Sequence, residues 1–293
     1  MIPRRRPRNR CRLVALLVLA AGCASEAREP GTDPGSQGVR VVDGLGREVV
    51  LDSPAQRIVS LVPSATLTLA ALDARSALVG RTDFDTVSWS ADLPSVGGGL
   101  QPSIEAVVAL HPDAVILFGG EQDPVTPARL DELGIPWVGI RPDGIADVLD
   151  IIGMLGTLTG REVRAAALVD SLRAELATVA AGAPGGPAPR VAYVMGGTPP
   201  WVAGPGTYIH ELIELAGGQN VFSDLGSLYS SVSPEELVSR GVDVVLVSDA
   251  GAFDARLTPD ARVVEVGGSL QLPGPGVADA AREVAAALRR PGG

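Results

Sequence analysis

The 293-residue chain contains no lysine, so all 24 of its basic residues are arginine. It has two cysteines, Cys11 and Cys23, two histidines, His111 and His210, and 3% aromatic residues. Each scarcity excludes something. Cys11 lies in a segment with the marks of a cleaved leader, so the body is left with no disulfide and no thiol nucleophile. Two histidines distant in sequence do not make a transition-metal cluster. His111 precedes the turn Pro112-Asp113 and His210 sits beside Glu211 on a helical pattern. Both read as surface or capping residues, and no metal site is expected. The chain has no Gly-x-Ser-x-Gly elbow, no Gly-x-Gly-x-x-Gly and no P-loop, since Gly97-Gly98-Gly99 is not followed by Lys-Ser/Thr. Catalysis has no positive support, and a non-enzymatic protein without catalytic residues or a resident cofactor is expected.

The net charge is −10, with six arginines in residues 1–12 and no acid in residues 1–22. Without that segment, 18 arginines face 34 acids, a net charge of −16. An acidic body argues against a nucleic-acid partner. Residues 1–23 read as a targeting segment: a basic run, then Leu13 to Ala21, too short for a stable membrane span. The sequence Leu19-Ala20-Ala21-Gly22-Cys23 resembles a bacterial lipobox, which makes Cys23 the expected lipidation site. Residues 24–38, rich in Glu, Pro, Gly and Ser, read as a flexible tether.

The body reads as two matched α/β halves about a central helix. Val39 to Asp52 has the pattern of a hairpin. Short apolar runs at 57–61, 78–81, 114–118 and 137–140 then alternate with helical segments at 65–72, 103–110, 126–133 and 145–158. That alternation predicts a mainly parallel sheet in a lobe over 39–158. Thr159 to Ala181 reads as one long helix. Thr159 and Glu162 are spaced as a capping box, and Val163, Leu168, Leu172, Leu176 and Val179 form an apolar stripe. Pro and Gly in 182–189 end it, and a second α/β lobe over 190–293 repeats the pattern. Ser103, Glu105 and Asp113 recur 130 residues later as Ser233, Glu235 and Asp243 without a gap. The expected architecture is two similar α/β lobes with mainly parallel sheets, joined by one long backbone helix.

Ligands of parallel α/β sheets bind at loops that follow strand ends. Those loops contain Ser64, Phe84, Trp89, Gln101, Trp201, Tyr229 and Phe253. So much of a scarce aromatic content suits a large, flat, partly apolar ligand.

Several stretches carry a resemblance: Arg57-Ile58-Val59-Ser60-Leu61-Val62-Pro63-Ser64-x-Thr66, Val79-Gly80-Arg81-Thr82-Asp83, Val96-Gly97-Gly98, Ile104-Glu105 with Leu110-x-Pro112-Asp113, Leu215-Ala216-Gly217-Gly218-x-Asn220-Val221-Phe222, and Val232-Ser233-x-Glu235. Together they resemble the helical-backbone solute-binding proteins of ABC importers, and their wording is most similar to the vitamin B12 branch. The chain departs from the family's pattern at Leu67, where Glu is common, and lacks the frequent Cys or Tyr near Asp85 and Trp near Gly99. The resemblance implies an extracytoplasmic, lipid-anchored monomer in the periplasm or on the outer face of the cell membrane. Its small-molecule ligand would be cobalamin or a related metal-containing macrocycle, with haem or a ferric siderophore as the alternative. Its partner would be a permease dimer driven by cytoplasmic ATPases, docked through Glu105 and Glu235. Two other readings are a lipid-anchored enzyme on the same lobes and an adhesin with an empty cleft.

Overall fold

The computed structural model describes residues 38–289, apart from Glu121 and the side chain of Ala252. Residues 1–37, with the expected leader, Cys23 and nearly all of the tether, lie outside the described residues.

Strands β1 (Val39–Val42) and β2 (Glu48–Leu51) form an antiparallel hairpin. Its turn is organised by the buried Asp43 carboxylate, which accepts from the Leu45 and Arg47 N–H groups, the Arg47 guanidinium and the distant Gly139 N–H. One carboxylate thus closes the turn and fastens the hairpin to the lobe behind it. The chain continues through β3 (Ile58–Ser60), α1 (Pro63–Ala71), β4 (Leu78–Gly80), α2 (Ile104–Ala109), β5 (Ala114–Phe118), α3 (Val125–Glu132), β6 (Trp137–Ile140) and α4 (Ile145–Leu158). The four strands after the hairpin form a parallel sheet of order β4-β3-β5-β6. Helices cover the faces of a parallel sheet, so its strands are largely apolar, as in Ala-Val-Ile-Leu-Phe of β5.

The long central helix α5 spans Glu162–Ala181, 20 residues or about 30 Å. Two details differ from the sequence reading. The Thr159–Glu162 capping box does not form. Thr159 is the C-cap of α4, and its hydroxyl donates to the Leu155 carbonyl at 2.7 Å. Gly160 then turns left-handed (φ 65°), and the Arg161 N–H returns to the Gly156 carbonyl at 2.7 Å. This closes a Schellman motif, so the threonine serves the helix that ends rather than the one that begins. The buried stripe of α5 is Ala165, Val169, Leu172, Leu176 and Val179, whereas Val163 is 86% exposed. This stripe packs on α4 of the first lobe and on α8 of the second, defined below. One apolar core therefore runs through both lobes.

The second lobe comprises β7 (Arg190–Gly196), β8 (Trp201–Ala203), α6 (Tyr208–Leu215), β9 (Gln219–Asn220), β10 (Tyr229–Ser231), α7 (Pro234–Ser239), β11 (Val244–Val247), β12 (Arg262–Glu265) and α8 (Val277–Arg289). Its sheet runs β10-β8-β7-β11-β12 with β9 beside β7. Strands β9, β7, β11 and β12 pair in parallel, but β8 and β10 are antiparallel additions. The sequence reading takes these two segments as loops. Each is only three residues long, too short for a period to register.

The internal match is structural as well as sequential. Ser103 and Ser233 each cap their helix by accepting from the N–H three residues on. His111 (φ 45°) and Gly241 (φ 59°) both turn left-handed. Asp113 and Asp243 each accept from the backbone N–H of an arginine, Arg57 and Arg190 respectively. Those arginines in turn donate through their guanidinium groups to the carbonyls of Leu110 and His111, and of Arg240 and Gly241. The same helix–turn–strand joint is built twice.

Candidate binding cleft

Two cavities lie at the carboxyl ends of the parallel strands and share Phe118, the last residue of β5. The larger, of about 830 Å³, is lined in the first lobe by Leu61, Val62 and Pro63 after β3, by Phe84, by Gly98 to Gln101, and by Gln122. The smaller, of about 300 Å³, lies between Phe118, Pro142 and Asp143 of the first lobe and Tyr193, Tyr208, Tyr229, Ser248 and Gln271 among residues of the second. Both volumes fall within the range usual for small-molecule sites, about 300–1,000 Å³.

The loop that carries Phe84 is held from within. The buried Asp85 carboxylate accepts from the Thr82 N–H at 2.9 Å and from its hydroxyl at 2.7 Å. Phe84 is thereby left 67% exposed beside the larger cavity. The glycine loop closes against the end of β3, where a Cβ on Gly99 would stand 2.5 Å from the Leu61 carbonyl oxygen. Only glycine allows that approach.

At the base of the cleft the two lobes are hydrogen-bonded through helix N-termini. The Glu211 carboxylate, in the first turn of α6, accepts from the Ile145 N–H that opens α4, at 2.8 Å. The Tyr208 N–H donates to the Asp143 carbonyl. Gly144 sits in this joint, where a Cβ would lie 2.8 Å from the Glu211 carboxylate.

All three tyrosines of the chain line the smaller cavity. Burial raises each phenol above its ordinary value of 10.0. Tyr229 is pushed up to about 12, by burial first and then by the neighbouring Asp143 and Tyr193. For Tyr193 a hydrogen bond with Ser248 partly opposes the shift. The Tyr208 hydroxyl donates to the Leu270 carbonyl. At neutral pH all three are uncharged, and the one proton of the Tyr208 hydroxyl is already engaged by Leu270. Asp143 is held at 2.7 Å by Arg141.

Of the seven residues proposed from sequence, Phe84 and Gln101 come together on the larger cavity and Tyr229 lies on the smaller. The other four line neither. Ser64 is buried in α1 against Gly274. Trp89 packs on the central core, with the Arg75 guanidinium 4.3 Å from its ring centre. Phe253 packs on the outer core of the second lobe. Trp201, 48% exposed, stands in β8 opposite Ser231. Phe118, Tyr193, Tyr208, Gln122 and Gln271 line the cavities without being among the sequence candidates. The signal for the two tyrosines was the scarcity of aromatics itself. Glu105 and Glu235 are both exposed in the first turns of α2 and α7. Neither histidine enters the cleft. His210 lies 3.3 Å from the Asn220 amide and 3.5 Å from Glu214. Among the described residues no cluster of His, Cys, Asp or Glu is arranged to hold a metal ion.

Comparison with known proteins adds three findings. Residues 58–262 match the family described as periplasmic binding protein. A cobalamin-binding protein of Halobacterium salinarum is 36% identical over 222 residues, 73% of this chain and 59% of that protein, so the chain spans less than two thirds of that relative's length. Among solved structures, the periplasmic vitamin B12 binding protein BtuF of Vibrio cholerae superposes with a TM-score of 0.72 at 23% identity, over 80% of this chain and 97% of that one. A periplasmic haem binding protein from Pseudomonas aeruginosa gives 0.69 at 26% identity, over 80% and 92%.

Proposed function

Because the chain belongs to the periplasmic binding protein family, whose relatives reported above are binding proteins and not enzymes, we propose that it captures a corrinoid, cobalamin or a close relative, in the inter-lobe cleft and delivers it to an ABC permease. The observation that carries this reading is the pair of cavities meeting at Phe118, one apolar and one lined by tyrosines. Such a cleft offers a flat, partly apolar macrocycle ring-sized walls and hydroxyl donors at its edge. The similarity to a cobalamin-binding protein supports the same ligand.

The macrocycle is cargo rather than a resident cofactor. Phe84, Gln101 and Tyr229 are the sequence-derived residues that the reading keeps at the ligand, joined by Phe118. The protein acts outside the cytoplasm as a monomer, tethered through lipid on Cys23. It meets a permease dimer, with its cytoplasmic ATPases, through Glu105 and Glu235. The twofold recurrence of an exposed acid after a serine cap supports that docking. A carboxylate is favoured there by the helix dipole alone, so the docking role rests on the pair.

Haem or a ferric siderophore is the second reading, favoured by the haem-binding neighbour and by three tyrosines in one cavity. The cobalamin-binding relative is 36% identical and the haem-binding neighbour 26%, which ranks this reading second. Calorimetry and visible spectra of the purified protein with cobalamin, cobinamide, haemin and a ferric hydroxamate test the proposal. Saturable one-to-one binding of the corrinoids is expected, and absence of corrinoid binding refutes it.

A further inference from the structure

The polar lining of the cleft has an uneven chemistry. Six glutamines occur in the chain, and three of them, Gln101, Gln122 and Gln271, line the two cavities. All three are exposed, and none makes a side-chain hydrogen bond within the described residues. With the three tyrosines and Ser248 they give a lining of uncharged donors and acceptors. Among the described lining residues the one charged side chain is Asp143. Arg141, which lines the adjoining cavity, pairs with it at 2.7 Å. The neighbouring cavity of about 500 Å³ adds Asp147 and Asp150. The field at the edge of the cleft is therefore negative, in a body of net charge −16.

We propose that the cleft selects its ligand by the charge of the ligand's periphery: it accepts a macrocycle bearing carboxamides and rejects one bearing carboxylates, with Gln101, Gln122 and Gln271 pairing the amides and Asp143 repelling the acids. A glutamine amide presents one acceptor and two donors, so it can exchange two hydrogen bonds with a ligand carboxamide. Facing a carboxylate it loses the donor it would accept from. Asp143 meets that carboxylate as a like charge that Arg141 at 2.7 Å offsets only in part, because Asp147 and Asp150 line the adjoining cavity with no ion pair among the described residues. The raised phenol of Tyr229 fits the same scheme, since it remains a neutral donor for an amide carbonyl.

This inference rests on the corrinoid reading, and its test separates the two. Cobinamide and cobyrinic acid share one corrin ring and its cobalt and differ in carrying amides or carboxylates around it. Two isolated like charges about 6 Å apart near a protein surface would shift an affinity by about a hundredfold, and the Arg141 partner of Asp143 lowers this to about tenfold. Titration calorimetry at neutral pH and low salt is expected to show cobinamide binding about tenfold tighter, with the gap shrinking as salt is raised. Asp143→Asn, which keeps the backbone carbonyl that Tyr208 uses and frees the Arg141 guanidinium, is expected to narrow the gap severalfold, mainly by improving cobyrinic acid. Gln271→Glu, at an exposed site where folding is safe, is expected to widen it. Equal binding of the two corrins, or a gap indifferent to both substitutions, overturns the charge selection and leaves the corrinoid reading standing. Binding of neither corrin overturns both.

Discussion

The joint between the two helix N-termini permits a quantitative test of how the lobes are held together. Glu211 in α6 accepts one hydrogen bond from the first residue of α4 across the lobe boundary. A hydrogen bond to a charged group contributes about 1.5–3 kcal/mol, and a carboxylate at a helix N-terminus about 0.3–1 kcal/mol more. Glu211 is half-buried, which favours the lower end of each range. Glu211→Ala is therefore expected to cost about 2 kcal/mol. In a chain of this size that lowers Tm by about 4–8 °C. Glu211→Gln keeps an acceptor and loses the charge, so about half that loss is expected. Glu214→Ala, one turn on, removes an exposed carboxylate 3.5 Å from His210 and is expected to stay within about 0.5 kcal/mol of the parent. Urea denaturation and thermal melts of the three variants decide the matter. If Glu211→Ala is no worse than Glu214→Ala, the cross-lobe bond contributes nothing and the lobes are held by α5 and the apolar core alone.

Four further expectations follow from particular groups. The raised phenols should appear in a titration of phenolate absorbance: all three tyrosines ionise above 10.0 in the folded chain, Tyr229 at about 12, and revert in denaturant. The folded state then holds more protons above pH 10, so the contribution of Tyr229, about 2–3 kcal/mol, is complete below pH 10 and lost as pH rises towards 12; native ionisation near 10 contradicts this. Gly99→Ala drives a Cβ onto the Leu61 carbonyl and must displace the cavity wall, costing about 1–3 kcal/mol in denaturation and weakening ligand binding; unchanged stability and affinity would show that the loop yields freely. Cys23→Ser is expected to move the protein from the membrane to the soluble extracytoplasmic fraction, because acyl chains supply the anchoring energy; unchanged fractionation rejects the anchor. Glu105→Ala and Glu235→Ala, most strongly together, are expected to abolish uptake while ligand affinity stays near the parent value; normal transport, or affinity falling in step with uptake, removes the docking role.

What the sequence made legible follows the physics of each element. Parallel strands buried on both faces announce themselves as apolar runs, and Ala114–Phe118 and Trp137–Ile140 coincide with the observed strands. Helix α4 coincides with its expected span because seven of its residues are buried on one amphipathic face. The repeat was legible because Ser103, Asp113 and their counterparts hold backbone N–H groups, a role that few residue types fill. Local pattern failed where a distant partner decides. Thr159 has the spacing of an N-cap, yet the preceding helix reaches it first because Gly160 supplies a left-handed turn. Val163 has the period of the stripe, but the stripe is fixed by packing on α4 and α8, and that face runs through Ala165 and Val169.

The cleft was legible in position and less so in membership. Of the residues expected in loops after strand ends, Phe84 and Gln101 line the larger cavity, and Tyr229, which lines the smaller, stands in strand β10. An aromatic in such a loop is drawn equally to the cleft and to the nearest core, and sequence does not weigh the two. Trp89 went to the core, where the Arg75 guanidinium covers its ring. Trp201 became the first residue of an added antiparallel strand. The reverse holds for Tyr193 and Tyr208, which sit in regular elements and still line the cavity. A tyrosine in a buried strand or in the first turn of a buried helix must find a partner for its hydroxyl. Tyr208 finds the Leu270 carbonyl and Tyr193 finds Ser248, both beside the cavity. The buried phenol is thus the better sequence signal for this cleft than the loop tryptophan, because its hydroxyl requires polar surroundings that an indole packed against a core does not.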